Sequence, residues 1–405
     1  MVAGAPAARR TRLLVLGAGA AQLGLLEAAR KRGDLEVIAV DRDPGAVGFA
    51  FADTRAVLST EDEAAVERLA RSERVAGIVS PGADWPVGVA ARIAERMGLP
   101  HPIDAQTASL ATTKSRQRER FAAAGVEQPR LYGQGETPSI PCVVKAPDRQ
   151  GQRGLTLVRD RNELAAAVAA AVAESRSGSY LAEELIAGPE VTVNAFSVDG
   201  DFVSLTVTDR LTAEPPAFGV ALAHSWPSVN DASAAADAAR RAAEALGILN
   251  GPTYTQVRLG PDGPRVIELA ARLGGGHDAE LVEAVTGVDL NALAIAVALG
   301  EKPSCSTITT AGTGQAPLAG SAVVSFLVPP EGVLRVVHNV DDAEAVDGVR
   351  WVRIYRRPGW RFGQLLRGAD RAGAILAVGD GRDDALERAR RAAEAVRFEV
   401  DADAP

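Results

Sequence analysis

The feature that most constrains the fold is the alternation of short apolar runs with helical stretches between residues 12 and 102. Leu13–Leu16, Glu36–Val40 and Gly77–Ser80 have the pattern of strands, and Val87–Met97 has that of a helix closed by a glycine. Short turns rich in glycine and aspartate separate these elements. Alternating strands and helices predict a Rossmann-like α/β unit, in which helices cover both faces of a parallel sheet.

The rest of the chain has strands and helices in separate groups, which predicts an α+β arrangement followed by a strand-rich end. The expected helices are Lys114–Ala124, Glu163–Glu174, Ser233–Leu246, Ala279–Thr286 and Arg382–Val396. The expected strands are Cys142–Lys145, Val191–Val198, Phe202–Val207, Thr253–Leu259, Arg265–Leu269, Ala322–Val328, Leu334–Val337, Trp351–Tyr355 and Ala374–Val378. Because no low-complexity linker divides the chain, we expect these regions to pack together.

Composition and charge argue against several function classes. The 405 residues are 47% apolar and carry a net charge of −8, without basic runs or interleaved aromatic residues, so neither nucleic acid nor an anionic membrane is an expected partner. Cys142 and Cys305 have no CxxC spacing, which favours a reducing compartment. Met1–Arg12 lacks the apolar core of a signal peptide, and no apolar run is long enough to span a membrane, so we expect a cytoplasmic protein.

The turn after the first strand matches a dinucleotide-binding fingerprint only in part. Gly17 and Gly19 fit the first two glycine positions, but Gln22 occupies the third, and Gly24 comes two residues late. Asp41, which ends the second strand, suits a ribose hydroxyl but equally suits a turn. We therefore favour a tight turn in a Rossmann-like scaffold over a bound dinucleotide.

Four fragments, in order along the chain, together predict a triphosphate site. In the first two, Lys114 opens a helix, and Lys145 ends a β-branched strand that leads directly into the segment Asp148–Gly154. A lysine followed by a glycine-containing loop places ammonium charge and backbone N–H groups where phosphates can be covered. The candidate phosphate-binding residues of this loop are Arg149, Gly151 and Gly154.

The third fragment, Tyr180–Glu190, has the pattern of a strand end, a hinge and a new strand that starts with an acidic residue. A hinge peptide can present N–H and C=O groups to an adenine edge. An acidic side chain seven residues after the hinge begins can accept hydrogen bonds from both ribose hydroxyls. The candidate nucleotide-binding residues are Glu183, Glu184, Leu185, Ile186 and Glu190.

The fourth fragment supplies two oxygen-bearing side chains, Gln256 and Glu268. They lie on two strands that are expected to pair antiparallel, which places both at the same end of a sheet. Such an oxygen pair suits Mg²⁺ held against phosphates, because Mg²⁺ prefers oxygen ligands and keeps several waters. The second strand continues into Arg272 and three glycines.

The order of these fragments resembles the ATP-grasp superfamily over nearly the whole chain. The run Glu268-Leu269-Ala270-Ala271-Arg272, followed by glycines, is similar to L-amino acid ligases and related carboxylate–amine ligases. The resemblance implies a Rossmann-like preATP-grasp domain (residues 1–105), an ATP-grasp domain (106–305) with a mobile lid around 125–185, and a β-rich C-terminal subdomain (306–405). It also implies ATP and Mg²⁺ as cofactors, with Mn²⁺ as a substitute.

The same resemblance assigns roles to the candidate nucleotide-binding residues. Lys114 and Lys145 would contact the ATP phosphates, and Glu183 would take the adenine amino group, with the next three residues as hinge backbone. Glu190 matches a ribose-binding glutamate, and Glu268 matches a Mg²⁺ ligand.

Three residues are implied as catalytic by the resemblance. Arg272 would steady an acyl-phosphate and a tetrahedral intermediate, since a fixed guanidinium suits charge that develops on oxygen. Arg210 and His224 fall in segments similar to the substrate region of these ligases, where His224 would lie at the acyl-acceptor pocket. An equally weighted interpretation makes His224 a loop histidine that packs on Trp226.

Two positions depart from the family pattern. Gln256 stands where the first metal-bearing strand usually carries a carboxylate, so one metal is expected to bind weakly or to depend more on the phosphates. Ala221 stands where some of these ligases have an acidic residue that holds a substrate ammonium. We therefore expect that the substrate is not held as an α-amino acid by that route.

The expected function is an ATP-dependent carboxylate–amine ligase that forms an amide or peptide bond through an acyl-phosphate and releases ADP and phosphate. Its expected partners are a small-molecule carboxylate and an amine, with no nucleic acid or membrane, and a homodimer is one option for assembly. Two alternatives stay open. One is an ATP-grasp carboxylase that uses bicarbonate through carboxyphosphate, and the other is a catalytically weak nucleotide-binding homologue.

Overall fold

A computed structural model describes residues 10–133, 135–306, 308 and 317–401. Its strands are β1 (Thr11–Leu16), β2 (Leu35–Asp41), β3 (Thr54–Val57), β4 (Gly77–Val79), β5 (Leu131–Tyr132), β6 (Cys142–Lys145), β7 (Leu155–Val158), β8 (Leu181–Glu184), β9 (Glu190–Val198), β10 (Asp201–Thr212), β11 (Ala221–Trp226), β12 (Gly251–Gly260), β13 (Gly263–Ala270), β14 (Ser321–Leu327), β15 (Gly332–His338), β16 (Val349–Ile354), β17 (Arg361–Phe362), β18 (Gly373–Gly379) and β19 (Arg397–Asp401). Its α-helices are α1 (Leu23–Lys31), α2 (Glu63–Glu73), α3 (Asp84–Met97), α4 (Ala105–Ala111), α5 (Lys114–Ala123), α6 (Leu164–Glu174), α7 (Ala232–Leu246), α8 (Asp278–Thr286), α9 (Leu290–Ala298), α10 (Val340–Glu344) and α11 (Arg382–Ala395).

The N-terminal region forms a parallel sheet of strand order β3-β2-β1-β4. The side chains of Leu13 to Leu16 are fully buried in β1, as expected for a strand with a helical layer on each face. Helix α3 ends at Gly98, whose positive φ of 65° allows the chain to turn out of the helix. These observations confirm the predicted Rossmann-like unit.

The turn after β1 is built around Gln22 rather than a third glycine. Gly17 has a φ of 106°, and a Cβ there would approach Gln22 Cδ to 2.8 Å. Gln22 Nε2 donates to the carbonyl of Pro81 at 2.7 Å, and Asp41 Oδ2 accepts from Ala18 N at 2.9 Å. Since both polar side chains hold the turn together, the geometry supports the tight-turn interpretation.

The largest sheet is antiparallel and has the strand order β13-β12-β9-β10-β11-β14-β18-β16. Strands from the last quarter of the chain therefore extend the same sheet that begins with the predicted metal-bearing pair. The alanine-rich helix α7 packs on β12 and β13, where its small side chains allow close approach. The mixed α/β and antiparallel architecture expected for an ATP-grasp fold is confirmed.

Two smaller sheets complete the described structure. One has the order β5-β8-β6-β7 and packs against α6, and it lies across a cleft from the large sheet. The other has the order β17-β15-β19. In the described residues no single helix is long and apolar enough to cross a membrane. Helices α8 and α9 together have the length and composition of such a span, but the chain bends by 114° between them.

Several elements escaped prediction because their patterns are short or uniform. Strand β11 has six residues and is followed directly by Pro227, so its alternation is hard to see in the sequence. Helix α9 is apolar on most of its surface, which hides the helical period. Helix α2 and strand β7 were also not predicted, whereas the strand end expected at the start of Tyr180–Glu190 is β8.

Candidate functional site

Two adjoining spaces collect the predicted site residues. The first, called the cleft, lies between the small sheet β5-β8-β6-β7 and the large sheet. The second, called the cavity, is bounded by residues of all three sequence regions. The two share a wall that includes Asp84, Gln256 and Arg272, so a ligand in one can reach a ligand in the other.

The structure brings nearly all the predicted residues to these walls. The cleft is lined by Lys114, Lys145, Arg149, Gly151, Glu183, Glu184, Leu185, Ile186, Glu190, Gln256, Glu268 and Arg272. Arg210 and His224 line the cavity instead. Gly154, the last residue of the segment Asp148–Gly154, lines neither space, and a Cβ there would meet Glu174 Cβ at 3.0 Å. Close packing therefore accounts for a glycine at this position.

At the inner end of the cleft, Glu183 is held by two cations. Its Oε1 lies 2.7 Å from Arg118 Nε, and its Oε2 lies 2.7 Å from Lys145 Nζ. All three side chains are at most 7% exposed. Burial acts to raise the pKa of Glu183, but Arg118 and Lys145 outweigh it and bring that pKa to about 2. Burial lowers the pKa of Lys145 to about 8, partly offset by Glu183.

The Arg118 contact was not predicted, although the sequence held a signal for it. Arg118 lies four residues after Lys114 on α5, so both side chains are on one face of the helix. Because both Glu183 oxygens are already paired, the carboxylate is poorly placed to be the principal partner of an adenine amino group. The hinge residues 184–186, which follow Glu183 in the sequence, also line the cleft.

At the opposite wall, Glu268 contacts Lys114. The two atoms Lys114 Nζ and Glu268 Oε1 are 2.9 Å apart, and Lys114 Nζ also donates to the carbonyl of Arg149 at 2.7 Å. Burial acts to raise the pKa of Glu268, but the charge of Lys114 lowers it below its usual range. In the strand pairing Gln256 is opposite Glu268, as the sequence predicted.

Glu190, at the start of β9, is shared by two guanidinium groups. Its Oε1 lies 3.0 Å from Arg210 Nη1, and its Oε2 lies 3.2 Å from Arg258 Nη2. Arg258 Nη1 also donates to the carbonyl of Ile186 at 3.3 Å, which ties the hinge to β12. The pairing fixes the carboxylate at the cleft wall, and it makes Arg210 a neighbour of the expected ribose ligand.

The loop Asp148–Gly154 is anchored at several points. Asp148 accepts hydrogen bonds from the backbone N–H groups of Arg176 at 3.0 Å and Ser177 at 2.8 Å. Arg149 Nε donates to the carbonyl of Glu174, and Gln150 Oε1 accepts from the backbone N–H of Asp84. The last contact connects the loop to the N-terminal region across the cleft. The loop therefore closes one side of both spaces.

Arg272 follows β13 and connects two regions of the chain. Its Nε lies 2.5 Å from Oδ1 of Asp84, at the start of α3, and its Nη1 donates to the carbonyl of Leu273 at 2.8 Å. Burial acts to lower the pKa of Arg272, but Asp84 and Glu268 raise it, so the guanidinium stays charged. The role of Asp84 as its partner was not predicted, because the two residues are 188 positions apart.

His224 lies on β11 with its ring 5.9 Å from that of Phe326 in an edge-on arrangement. Its Nδ1 is 3.0 Å from Asp278 Oδ1, but the two groups are not aligned for a hydrogen bond. Both residues are buried. Burial acts to raise the pKa of Asp278, and His224 lowers it. The alternative of a loop histidine is wrong, because β11 is a central strand of the large sheet.

Comparison with known proteins gives two family matches and several relatives. Residues 138–280 match the ATP-grasp domain, and residues 325–401 match the L-amino acid ligase C-terminal domain 2. A relative named "Uncharacterized protein y4rH", from Sinorhizobium fredii (strain NBRC 101917 / NGR234), is 28% identical over 82% of this chain and 70% of its own length. The alanine–anticapsin ligase of Bacillus subtilis (strain 168) is 24% identical over 51% of this chain and 50% of its own length.

Among solved structures, that of the L-amino acid ligase from Bacillus licheniformis superposes with a TM-score of 0.82. It is 22% identical in sequence, and the match covers 98% of this chain and 100% of that one. This likeness establishes the fold, and the two family matches span the cleft and the C-terminal wall of the cavity. Residues 138–280 therefore form an ATP-grasp domain, and the chain resembles the L-amino acid ligases and related carboxylate–amine ligases of the ATP-grasp superfamily.

Proposed function

We propose that this chain is an ATP-dependent ligase that joins a small-molecule carboxylate to an amine through an acyl-phosphate and releases ADP and phosphate. The observation that carries the proposal is the shared wall at Arg272, where a cleft built for a nucleotide opens into a separate arginine-lined cavity. The C-terminal match to an L-amino acid ligase domain favours an amine acceptor over bicarbonate, so the carboxylase alternative fits less well.

The donor set at the cleft wall fits a divalent metal, which we propose to be Mg²⁺, with Mn²⁺ as a substitute. Glu268 supplies a carboxylate, and Gln256, opposite it in the strand pairing, supplies an amide oxygen. Both are hard oxygen ligands of the kind that Mg²⁺ takes. When bound, the metal would neutralise phosphate charge as the γ-phosphoryl group is transferred.

The side chains of the cleft are arranged to bind and orient the nucleotide. Lys114 and Lys145 provide positive charge for the phosphates, and their pairing with Glu268 and Glu183 stabilises the charges while the cleft is free of ligand. We propose that Glu183 positions Lys145, and that the backbone of the hinge contacts the adenine edge. Glu190, fixed by two arginines, would accept the ribose hydroxyls.

On the cavity side, Arg272 is the residue proposed to offset oxygen charge during phosphoryl and acyl transfer. Its ion pair with Asp84 fixes the guanidinium, and a fixed donor needs little reorganisation in the transition state. His224 would lie beside the amine, with Asp278 behind it. The loop Asp148–Gly154 would exclude water, which would otherwise hydrolyse the acyl-phosphate.

Several finer expectations are part of the same proposal. They are the domain limits at residues 105 and 305, the mobility of the lid around residues 125–185, the cytoplasmic location, the absence of nucleic-acid and membrane partners, and the homodimer option. Each can be examined separately from the chemistry.

The decisive experiment is a phosphate-release screen across carboxylic acids paired with amines, with Mg²⁺ and ATP present. We expect release of ADP and phosphate only when both substrates are present, together with an amide product detected by mass spectrometry. AMP and pyrophosphate as products would exclude the acyl-phosphate mechanism. Bicarbonate-dependent ADP release without any organic acid would instead favour the carboxylase alternative.

A further inference from the structure

The walls of the cavity carry more positive than negative side chains. In the described part of the chain, nine arginines and five carboxylates line it, although the protein as a whole has a net charge of −8. Two of these arginines are paired with wall carboxylates, Arg272 with Asp84 and Arg176 with Glu61, and a third, Arg210, is paired with Glu190 of the cleft. The remaining surplus indicates that the natural occupant brings negative charge.

Arg371, which precedes β18, belongs to this surplus and is held in place by three contacts. Its guanidinium lies over the ring of Phe326, 3.6 Å from the ring centre. Its Nε donates to the carbonyl of Gly368 at 2.7 Å, and its Nη1 donates to the carbonyl of Ala221 at 3.3 Å. Stacking and two backbone hydrogen bonds hold the planar group in one orientation while the side chain still lines the cavity.

No carboxylate lies within ion-pairing distance of Arg371 among residues 10–133, 135–306, 308 and 317–401. Of the residues outside these ranges, only Asp403 has an acidic side chain. Burial lowers the pKa of Arg371, and the positive charge of Arg210, which is itself paired with Glu190, acts in the same direction. The buried Asp278 opposes this lowering only in part and makes no ion pair with Arg371. A partly buried cation without a counter-ion is costly unless a ligand supplies one.

We propose that Arg371 is a specificity-determining residue that binds an anionic group of one substrate, a carboxylate or a phosphate, distinct from the carboxylate that is activated. The planar guanidinium fork matches both kinds of anion. Arg356, which donates to the carbonyl of Ala369 in the turn just before Arg371, provides a second cation on the same wall. The inference rests on the proposed ligase function, since it concerns one of the two substrates.

The position of Arg371 separates this subsite from the nucleotide phosphates. Arg371 and Arg356 flank the turn Gly368–Asp370 of the C-terminal region, whereas Lys114 and Lys145 lie in the cleft. Gln152 of the phosphate-side loop accepts a hydrogen bond from Gly368 N at 3.4 Å, so that loop and this turn meet at the edge of the cavity. An anion on the substrate would therefore be held where the loop closes.

The first test measures anion binding directly. With the cleft saturated by Mg²⁺ and a non-hydrolysable ATP analogue, inorganic phosphate and malonate are titrated against the full-length protein by calorimetry. We expect Arg371→Met to weaken binding of at least one of them about 10- to 100-fold, the loss expected for hydrogen bonds to a charged group. Arg240→Met, a change at an exposed arginine of α7, serves as the matched control and should bind like the wild type.

Arg371→Lys retains the charge but not the fork, and it serves as the second variant if Arg371→Met does not fold. We expect its binding to be intermediate. If neither anion binds the wild type, or if both substitutions leave binding unchanged, the inference is wrong.

The second test uses acid–amine pairs that release phosphate, each compared with the neutral amide of its additional acidic group. We expect kcat/KM to favour the charged form at least about tenfold, and Arg371→Met to remove this preference mainly through KM. The additional acidic group is placed in turn on the acid and on the amine, and as a carboxylate and as a phosphate. The combination that gives the largest preference identifies which substrate carries the anion and which anion it is. If neutral substrates react equally well, the inference fails and the proposed function stands. If anions bind through Arg371 but no pair reacts, the proposed function fails and the anion site stands.

Discussion

The cleft and the cavity share a wall, but their charged side chains are arranged in opposite ways. In the cleft, Lys145 is paired with Glu183, Lys114 with Glu268, and Glu190 with two arginines, all within 3.2 Å. In the cavity, Arg371 is held by backbone carbonyls and an aromatic ring instead of a carboxylate. Both spaces lie in the same fold, and the difference comes only from which side chains face them.

This difference indicates what each space is built to bind. A cleft whose charges are already paired is rigid before the ligand arrives, which suits a constant ligand such as ATP. A cavity with surplus positive charge depends on its occupant for neutralisation, which suits selection among substrates. Four substitutions or conditions would break or sharpen this comparison.

The largest effect is expected when the paired charges of the cleft are separated. Glu183→Gln leaves Arg118 and Lys145 buried against a neutral amide, and we expect it to lower the free energy of unfolding by about 3–5 kcal/mol. Urea denaturation followed by circular dichroism measures this loss. Glu244→Gln, which breaks an exposed pair with Arg240, is the control and should leave the midpoint nearly unchanged. An equal loss in both variants would contradict the view that the cleft depends on buried pairing.

A smaller but still large effect is expected on turnover when the carboxylate next to Lys114 is removed. Glu268→Gln takes away the proposed metal ligand and should lower kcat for phosphate release about 10²- to 10³-fold, the range for loss of one electrostatic group in a site. Asp262→Asn, in the exposed turn of the same hairpin, should retain activity. Activity of Glu268→Gln close to that of the wild type would remove Glu268 from the metal site.

The pH dependence of nucleotide binding should report on Lys145, whose pKa is about 8. Above that pH the ammonium group loses its proton, so we expect KM for ATP to rise about tenfold per pH unit. Between pH 8 and the ordinary value of 10.5 the unfolded chain holds more protons at this residue than the folded chain, so its contribution to stability rises with pH. Deprotonation of Lys145 would therefore not itself unfold the protein as binding weakens.

Lys145→Arg provides the control for this pH profile, because arginine stays protonated throughout the range. We expect the variant to have a flatter dependence of KM on pH, measured by initial rates on both sides of the Lys145 pKa alongside thermal melting. A profile identical to that of the wild type would assign the titration to another group.

The smallest effect is expected from adding a charge at the position that departs from the family pattern. Gln256→Glu places a second carboxylate opposite Glu268, and we expect it to lower the Mg²⁺ concentration for half-maximal activity by about tenfold at most. Metal titrations of phosphate release measure the shift. Loss or gain of one electrostatic group in a site changes turnover by about two orders of magnitude. If Gln256→Glu raised the maximal turnover rate by that much, the alternative of a catalytically weak nucleotide-binding protein would be favoured.

Much of the fold and many of the site residues could be predicted because their signals are local. The alternating pattern located Cys142–Lys145 at its observed bounds, and the spacing of Gln256 and Glu268 predicted their pairing across one hairpin. In each case the neighbours that matter are a few residues away or on the adjacent strand. Short strands such as β11 were not predicted, because six residues give too little alternation to recognise.

The partners of the site residues could not be predicted in the same way. Arg118 meets Glu183 across 65 positions, and Asp84 meets Arg272 across 188. Arg371 reaches the carbonyl of Ala221 across 150 positions. Long flexible side chains of this kind have many candidate partners of opposite charge, and only the packing of the sheets selects one of them.

The sequence by itself determined most of the order of elements and the lysines and glutamates of the cleft, because these depend on local period and spacing. The order of the same fragments also indicated the resemblance to the ATP-grasp superfamily. Tertiary structure alone decided which charges are neutralised. It joined the C-terminal strands to the central sheet and placed Arg371 on a cavity wall without a carboxylate beside it in the described part of the chain. Charge pairing depends on distances of a few ångströms between remote segments, and such distances are fixed only when the chain is folded.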